Sequence, residues 1–160
     1  MKVLAFDPGF ERLGVAVVEK HKDINRGKEV LLHSECVRTS KDDDFPTRLG
    51  QLGAATEAFI VAWQPDRIAL ENIYFENNAK SAMQVAQVRG VLAYIAAKNN
   101  IKLCDYSPLQ VKVAVTGYGK SDKAAVAAMV ARLVVLPVRK RLDDELDAIA
   151  IGLTCLASER

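Results

Sequence analysis

Cysteine is scarce and scattered. Cys36, Cys104 and Cys155 are the only three, and no two stand close enough to make a C-x-x-C pair. That argues against a zinc site and against a disulfide framework. Their apolar surroundings (SECVR, KLCDY, LTCLA) read as buried, reduced thiols. Histidine is scarcer still, and His21 and His33 form neither H-x-H nor H-E-x-x-H. Ser-His and Cys-His pairings and Gly-rich nucleotide loops are missing too. No apolar run reaches the roughly 18 residues that a membrane span needs. The opening MKVLAFDPG is too short an apolar stretch for a secretory signal, so the expectation is a cytoplasmic protein. An excess of one charge is also lacking: 22 basic residues against 20 acidic ones leave a net charge of +2, too weak by itself to announce a nucleic-acid partner. Repeats, linkers and low-complexity stretches are absent.

What is present is segregated. Lys98, Lys102, Lys112, Lys120 and Lys123 gather in one stretch, whereas acids gather at Asp42–Asp44 and Asp143–Asp147. Such a chain has one region suited to phosphates and another suited to cations. Its length fits a single domain over residues 1–160. VLAFD, LGVAVVE and EVLLHSECVRT read as three strands of an antiparallel meander, with turns at Pro8-Gly9 and Asn25–Gly27. Phe45 to Trp63 has helical spacing and is stopped by Pro65. RIALE is a fourth strand, and a long helix follows from about Asn78 to Asn99, its apolar face drawn from Met83, Val88, Val91, Leu92 and Ile95. IKLCDY is a fifth strand, then come a short helix from Pro108, a turn at Gly117–Gly119, a helix opening at Ser121 and a final helix near Asp143. The expected class is therefore α/β, a mixed five-stranded sheet flanked by helices, in the element order of the RNase H-like fold.

The chemistry-bearing residues stand at the ends of these elements. Asp7 ends a buried strand, where a carboxylate is costly unless a cation or hydrogen-bond donors meet it. Glu71 repeats the arrangement after IAL, and glutamate is a poor strand and turn residue. In RLDDELDAIA, either Asp144 and Asp147 or Asp143 and Asp147 can share a helix face. A helix dipole accounts for acids in the first turn. It does not account for Asp147, a turn further in and beside the apolar stripe. Brought together, four such carboxylates repel one another unless divalent cations balance them, and hard oxygen ligands favour Mg2+ or Mn2+. Two ions roughly 3.5–4 Å apart suit phosphodiester cleavage.

These residues also resemble a known family. FDPGFERLGVAVVE resembles the opening of RuvC Holliday junction resolvases, and PDRIALENIYFENNAKSAMQVAQVRGVL resembles their second signature. SPLQVKVAVTGYGKSDKAAVAAMV resembles their basic DNA-contacting segment, and LDDELDAIAIGL their closing D-x-x-D-A helix. The four stretches occur in register over nearly the whole chain. The resemblance implies a Mg2+-dependent endonuclease with two ions per subunit and catalytic, metal-holding acids at Asp7, Glu71, Asp144 and Asp147. It implies DNA contacts at Lys112 and Lys123 and an aromatic at the junction centre, Tyr74. Lys120 and Arg89 are expected to assist on the DNA. It further implies four-way junction DNA as substrate, a homodimer joined partly through the long helix, and the RuvA–RuvB branch-migration complex as partner. The run Arg139–Arg141 and Asn72 stand apart from the family pattern.

Three other readings remain open at this point. D-P-G-x-x-x-x-G at residues 7–14 also resembles a phosphate loop of actin-like and sugar kinases, but the chain is too short for the two domains such proteins use. A nuclease of the same fold that cuts RNA, and a junction-binding module without activity, are the others. The basic segment and the intact acid set speak against them.

Overall fold

Alternation along the strands decides which residues face which layer. The computed structural model describes residues 1–20, 29–72, 79–136, 139 and 141–159. In its first strand, β1 (Lys2–Asp7), Val3 and Ala5 enter one core while Leu4 and Phe6 enter another, as a period of two requires. β2 (Arg12–Lys20) and β3 (Glu29–Arg38) complete an antiparallel meander. The turn expected at Asn25–Gly27 lies outside the described residues. β4 (Arg67–Glu71) and β5 (Lys102–Tyr106) add in parallel on the other side of β1, giving the order β3-β2-β1-β4-β5. The mixed five-stranded sheet flanked by helices is thus the observed architecture.

One face is built from large side chains. Leu4, Phe6, Leu13, Val15, Val17, Ile68 and Leu70 pack under α1 (Phe45–Trp63) and α2 (Ala79–Lys98). α1 starts where Asp44 accepts the Thr47 N–H at 2.8 Å with Pro46 behind it, and it stops at Gln64 in the left-handed region before Pro65. On α2 the buried positions are Val88, Leu92 and Ile95. Met83, read from the sequence as part of that face, is 63% exposed. It stands five residues before Val88, about 140° around a helix of 3.6 residues per turn, so it cannot share the stripe.

The opposite face carries alanines in the three middle strands. Ala5, Ala16 and Ala69 lie under α3 (Pro108–Thr116), α4 (Lys123–Leu133) and α5 (Asp143–Ser158). This lets α5 come close: a Cβ added at Gly152 would stand 2.7 Å from Val18 Cγ2 and 3.3 Å from Ala5 Cβ. The approach carries the acidic start of α5 to the end of the sheet where β1 and β4 terminate. Among the described residues, no helix is long and apolar enough to cross a membrane.

Candidate active site

Asp7 and Glu71 reach the same place by the same rule. Each follows an apolar strand whose penultimate residue, Phe6 or Leu70, faces α1 and α2, so each carboxylate turns toward α5. β1 and β4 are parallel with Phe6 opposite Leu70, and one more step sets Asp7 beside Glu71. α5 supplies the rest. Its first turn is held against β2 because Gly14 has no side chain: a Cβ there would stand 2.0 Å from the Asp144 carbonyl oxygen.

The electrostatics show that these acids converge. Burial, followed by the charges of Asp147, Glu71 and Asp144, pushes Asp7 up to about 7. Burial and Asp147 raise Glu71, while Lys123, Lys112 and Arg89 work the other way. Lys123 Nζ lies 3.2 Å from Asp147 Oδ2 and is itself raised, chiefly by Asp147. A cavity of about 230 Å³ is lined by Glu71, Lys112, Lys123 and Asp147, floored by Val111 and Ile151. Acids from two strands and one helix, and lysines from two more helices, therefore meet in one cleft.

Asp144 differs sharply from its neighbour. Its side chain is 18% exposed, and its Oδ2 is buried without a hydrogen-bond partner, although Arg12 Nε approaches to 3.3 Å as an ion pair. Asp143 is exposed. Among the described residues, no group of three or more acidic, histidine or cysteine side chains is clustered tightly enough to hold a metal ion as it stands. Arg12 and Lys123 instead occupy Asp144 and Asp147. The donor set nonetheless fits a hard divalent cation: all oxygen, one buried carboxylate oxygen without a hydrogen bond, and one carboxyl whose ionisation is opposed by burial and by the other acids.

The other expected DNA contacts fall differently. Lys120 is exposed on the turn before α4. Arg89 bonds the Glu71 carbonyl and, at 2.6 Å, the Asp105 carboxylate, so its guanidinium ties α2 to the ends of β4 and β5. Tyr74 lies outside the described residues.

Sequence reading missed Arg12, Gly14 and a buried anchor on α5. Glu145 is 4% exposed and accepts from Ser34 Oγ at 3.0 Å and from Arg139 at 2.6 Å and 3.2 Å, while Arg139 also donates to the Ser34 carbonyl at 2.6 Å. Burial works to raise its carboxyl, but the bonds from Arg139, Ser34 and the Leu142 N–H hold it below the ordinary range. The only signal was the run Arg139–Arg141; nothing in the sequence linked it to a serine on β3.

The chain is similar to known proteins over almost its whole length. The family described as Crossover junction endodeoxyribonuclease RuvC matches residues 3–155. The protein of that name from Rhodococcus opacus is 38% identical over 154 residues, which is 96% of this chain and 79% of the relative. The structure of Thermus thermophilus RuvC superposes with a TM-score of 0.88 at 31% identity, covering 98% of this chain and 93% of that one. The T. thermophilus RuvC in complex with Holliday junction substrate gives 0.89 at the same identity and coverage.

Proposed function

The chain belongs to the RuvC family of crossover junction endodeoxyribonucleases, and from that premise we propose how its own residues carry out the resolution of Holliday junctions. The observation that carries the reading is the cleft itself, in which Asp7 is raised to about 7 by burial and by Asp147, Glu71 and Asp144 while Lys112 and Lys123 line the same cavity as Glu71 and Asp147. Asp7, Glu71, Asp144 and Asp147 hold divalent cations, Mg2+ in the first instance, two per subunit, with Mn2+ able to substitute. When bound, such ions supply the activation of water and the neutralisation of the departing oxygen in phosphodiester hydrolysis. Asp7 and Glu71 stand at the ends of two paired strands in the middle of the sheet. Asp144 and Asp147 ride on α5, whose start is bolted to β2 at Gly14 and to β3 through Glu145. Lys112 and Lys123 receive phosphates, and the flexible stem of Lys123 lets its ammonium exchange Asp147 for one of them. Lys120 adds charge from the turn, and Tyr74 stacks at the junction centre. Arg89 serves the DNA indirectly, by holding the end of β4.

A junction presents two symmetry-related strands, and a two-fold dimer presents two equivalent clefts. α2 offers the surface for such a dimer: Met83, Gln87, Gly90 and Tyr94 recur at intervals of four, three and four and are all exposed, Met83 at 63% and Tyr94 at 67%. We read residues 1–160 as one nuclease domain, acting in the cytoplasm on junctions delivered by the RuvA–RuvB complex. The test is a side-by-side incubation with a synthetic four-way junction, a linear duplex of the same sequences and an RNA–DNA hybrid, with and without Mg2+. The expected outcome is Mg2+-dependent cutting confined to the junction. Preferential cutting of the hybrid would replace this reading with an RNA-processing one.

A further inference from the structure

Between α3 and α4 the chain makes a turn that is tied to itself. The Thr116 hydroxyl lies within hydrogen-bond distance of the Lys112 carbonyl at 2.8 Å, the Tyr118 carbonyl at 3.0 Å and the Ser121 hydroxyl at 2.7 Å, and it accepts the Tyr118 N–H at 3.1 Å. Ser121 N–H also donates to the Tyr118 carbonyl. Gly117 reverses the chain with a φ of 76°. Gly119 lets Leu109 and Val113 of α3 close onto the turn, since a Cβ there would stand 2.4 Å from Leu109 Cδ1. On this fixed base the Tyr118 side chain is left out: it is 61% exposed, and Leu109 and Val113, which close onto the neighbouring Gly119, are exposed at 60% and 47%. Among the described residues, no ring or cation stacks on it.

A tyrosine, a leucine and a valine left exposed around one turn and rimmed by polar residues mark a surface that a partner can cover. Its surroundings say which partner. Lys112 stands on α3 between Leu109 and Val113 and lines the cavity that holds Glu71 and Asp147. Lys120 is two residues beyond Tyr118, and Lys123 opens α4. The patch is therefore a small apolar island flanked in the chain by three lysines, two of which line the cavity that holds Glu71 and Asp147. A nucleic-acid strand matches that pattern, because its phosphates alternate with the flat, apolar faces of bases. A strand whose phosphate rests on Lys112 carries the next nucleotide over Leu109, Val113 and Tyr118.

We propose that Tyr118, supported by Leu109 and Val113, is a stacking platform for an unpaired base next to the phosphate held at the acids. This rests on the reading of the cleft as a DNA site and adds to it a contact outside the acids and lysines. Because the turn is already ordered by its own hydrogen bonds, the contact costs little conformational entropy.

The test uses the full chain, without added divalent ion, on four-way junctions and on single-stranded oligonucleotides carrying 2-aminopurine at successive positions. Tyr118→Ala should weaken binding about tenfold, in line with stacking on one aromatic, and abolish the 2-aminopurine signal seen at one position with the parent. Tyr118→Phe should restore both. The salt dependence should stay unchanged in both variants, since no charge is altered, and so should the melting temperature of Tyr118→Ala. Affinity within twofold of the parent for Tyr118→Ala would overturn the proposal. So would a failure of Tyr118→Phe to rescue, or a melting temperature that falls with Tyr118→Ala. If the parent does not prefer junctions to linear duplex, the junction reading fails instead, and the single-stranded oligonucleotides still decide whether Tyr118 stacks.

Discussion

At Asp144 a buried carboxylate oxygen accepts no hydrogen bond and lies 3.3 Å from Arg12, whereas Asp143, one residue earlier, is exposed to solvent. The pair could not be separated by helical spacing alone, since either can share a face with Asp147. Burial separates them. Asp144→Asn should reduce Mg2+-dependent junction cutting by several orders of magnitude, as should the amides of Asp7, Glu71 and Asp147. Asp143→Asn should stay within a fewfold of the parent. All five variants should bind junctions as well as the parent, because the amide keeps size and removes only a charge that repels phosphate. Cleavage and gel-shift assays on the same preparations check this, and an active Asp144→Asn beside a dead Asp143→Asn would shift the site by one residue. Asp7 carries a further consequence. Its carboxyl holds a proton up to about 7 in the folded protein but releases it near 3.8 in a free carboxylate. Between those values the folded chain binds more protons than the unfolded one, so raising the pH lowers stability, by at most about 4 kcal/mol. Mg2+ binds the ionised form, so it should raise Tm more at pH 8 than at pH 5, and Asp7→Asn without metal should melt above the parent at pH 8. Calorimetry at the two pH values would show this; an equal Mg2+ effect at both would contradict it.

Two contacts hold the start of α5 in place. Gly14→Ala would drive a methyl into the Asp144 backbone carbonyl, so the helix must shift, at a cost of about 1–3 kcal/mol in urea unfolding and with cleavage falling further than stability. Glu145→Ala would remove the acceptor shared by Ser34 and Arg139. Arg139 is partly exposed and can be rehydrated, so the expected loss is about 1–3 kcal/mol. Full stability in both variants would mean that α5 is held by its apolar face alone. Much of this level was legible beforehand. The sequence put Asp7 and Glu71 at the ends of buried strands, Pro65 ended α1, and the spacing in LDDELDA put Asp147 a turn inside a helix. What stayed hidden depends on partners distant in the chain. Ser34 meets Glu145, Arg12 meets Asp144, and Arg89 turns inward to Asp105. Periodicity describes one element at a time and cannot see across to another. Met83 was misplaced for a simpler reason, in that an apolar residue was counted into a stripe it lies about 140° away from.

At the scale of the whole molecule, a net charge of +2 is consistent with DNA binding because Lys112 and Lys123 are concentrated at the cleft that holds the acids. Cutting two strands in concert also needs two clefts. The exposed stripe Met83, Gln87, Gly90 and Tyr94 on α2 is where a second copy is expected, and Gly90 leaves room there for close approach. Tyr94→Glu should shift sedimentation toward the monomer without lowering Tm, and should turn paired nicks into single ones. A parent that sediments only as a monomer yet still nicks in pairs would exclude this dimer. The most direct measurement of the central claim uses a supercoiled plasmid that extrudes a cruciform, incubated with the parent and with Asp147→Asn in Mg2+. Paired incision across the four-way junction predicts linear plasmid from the parent with no build-up of nicked circles, and no cutting by Asp147→Asn. Accumulating nicked circles, or equal cutting by Asp147→Asn, would contradict the account.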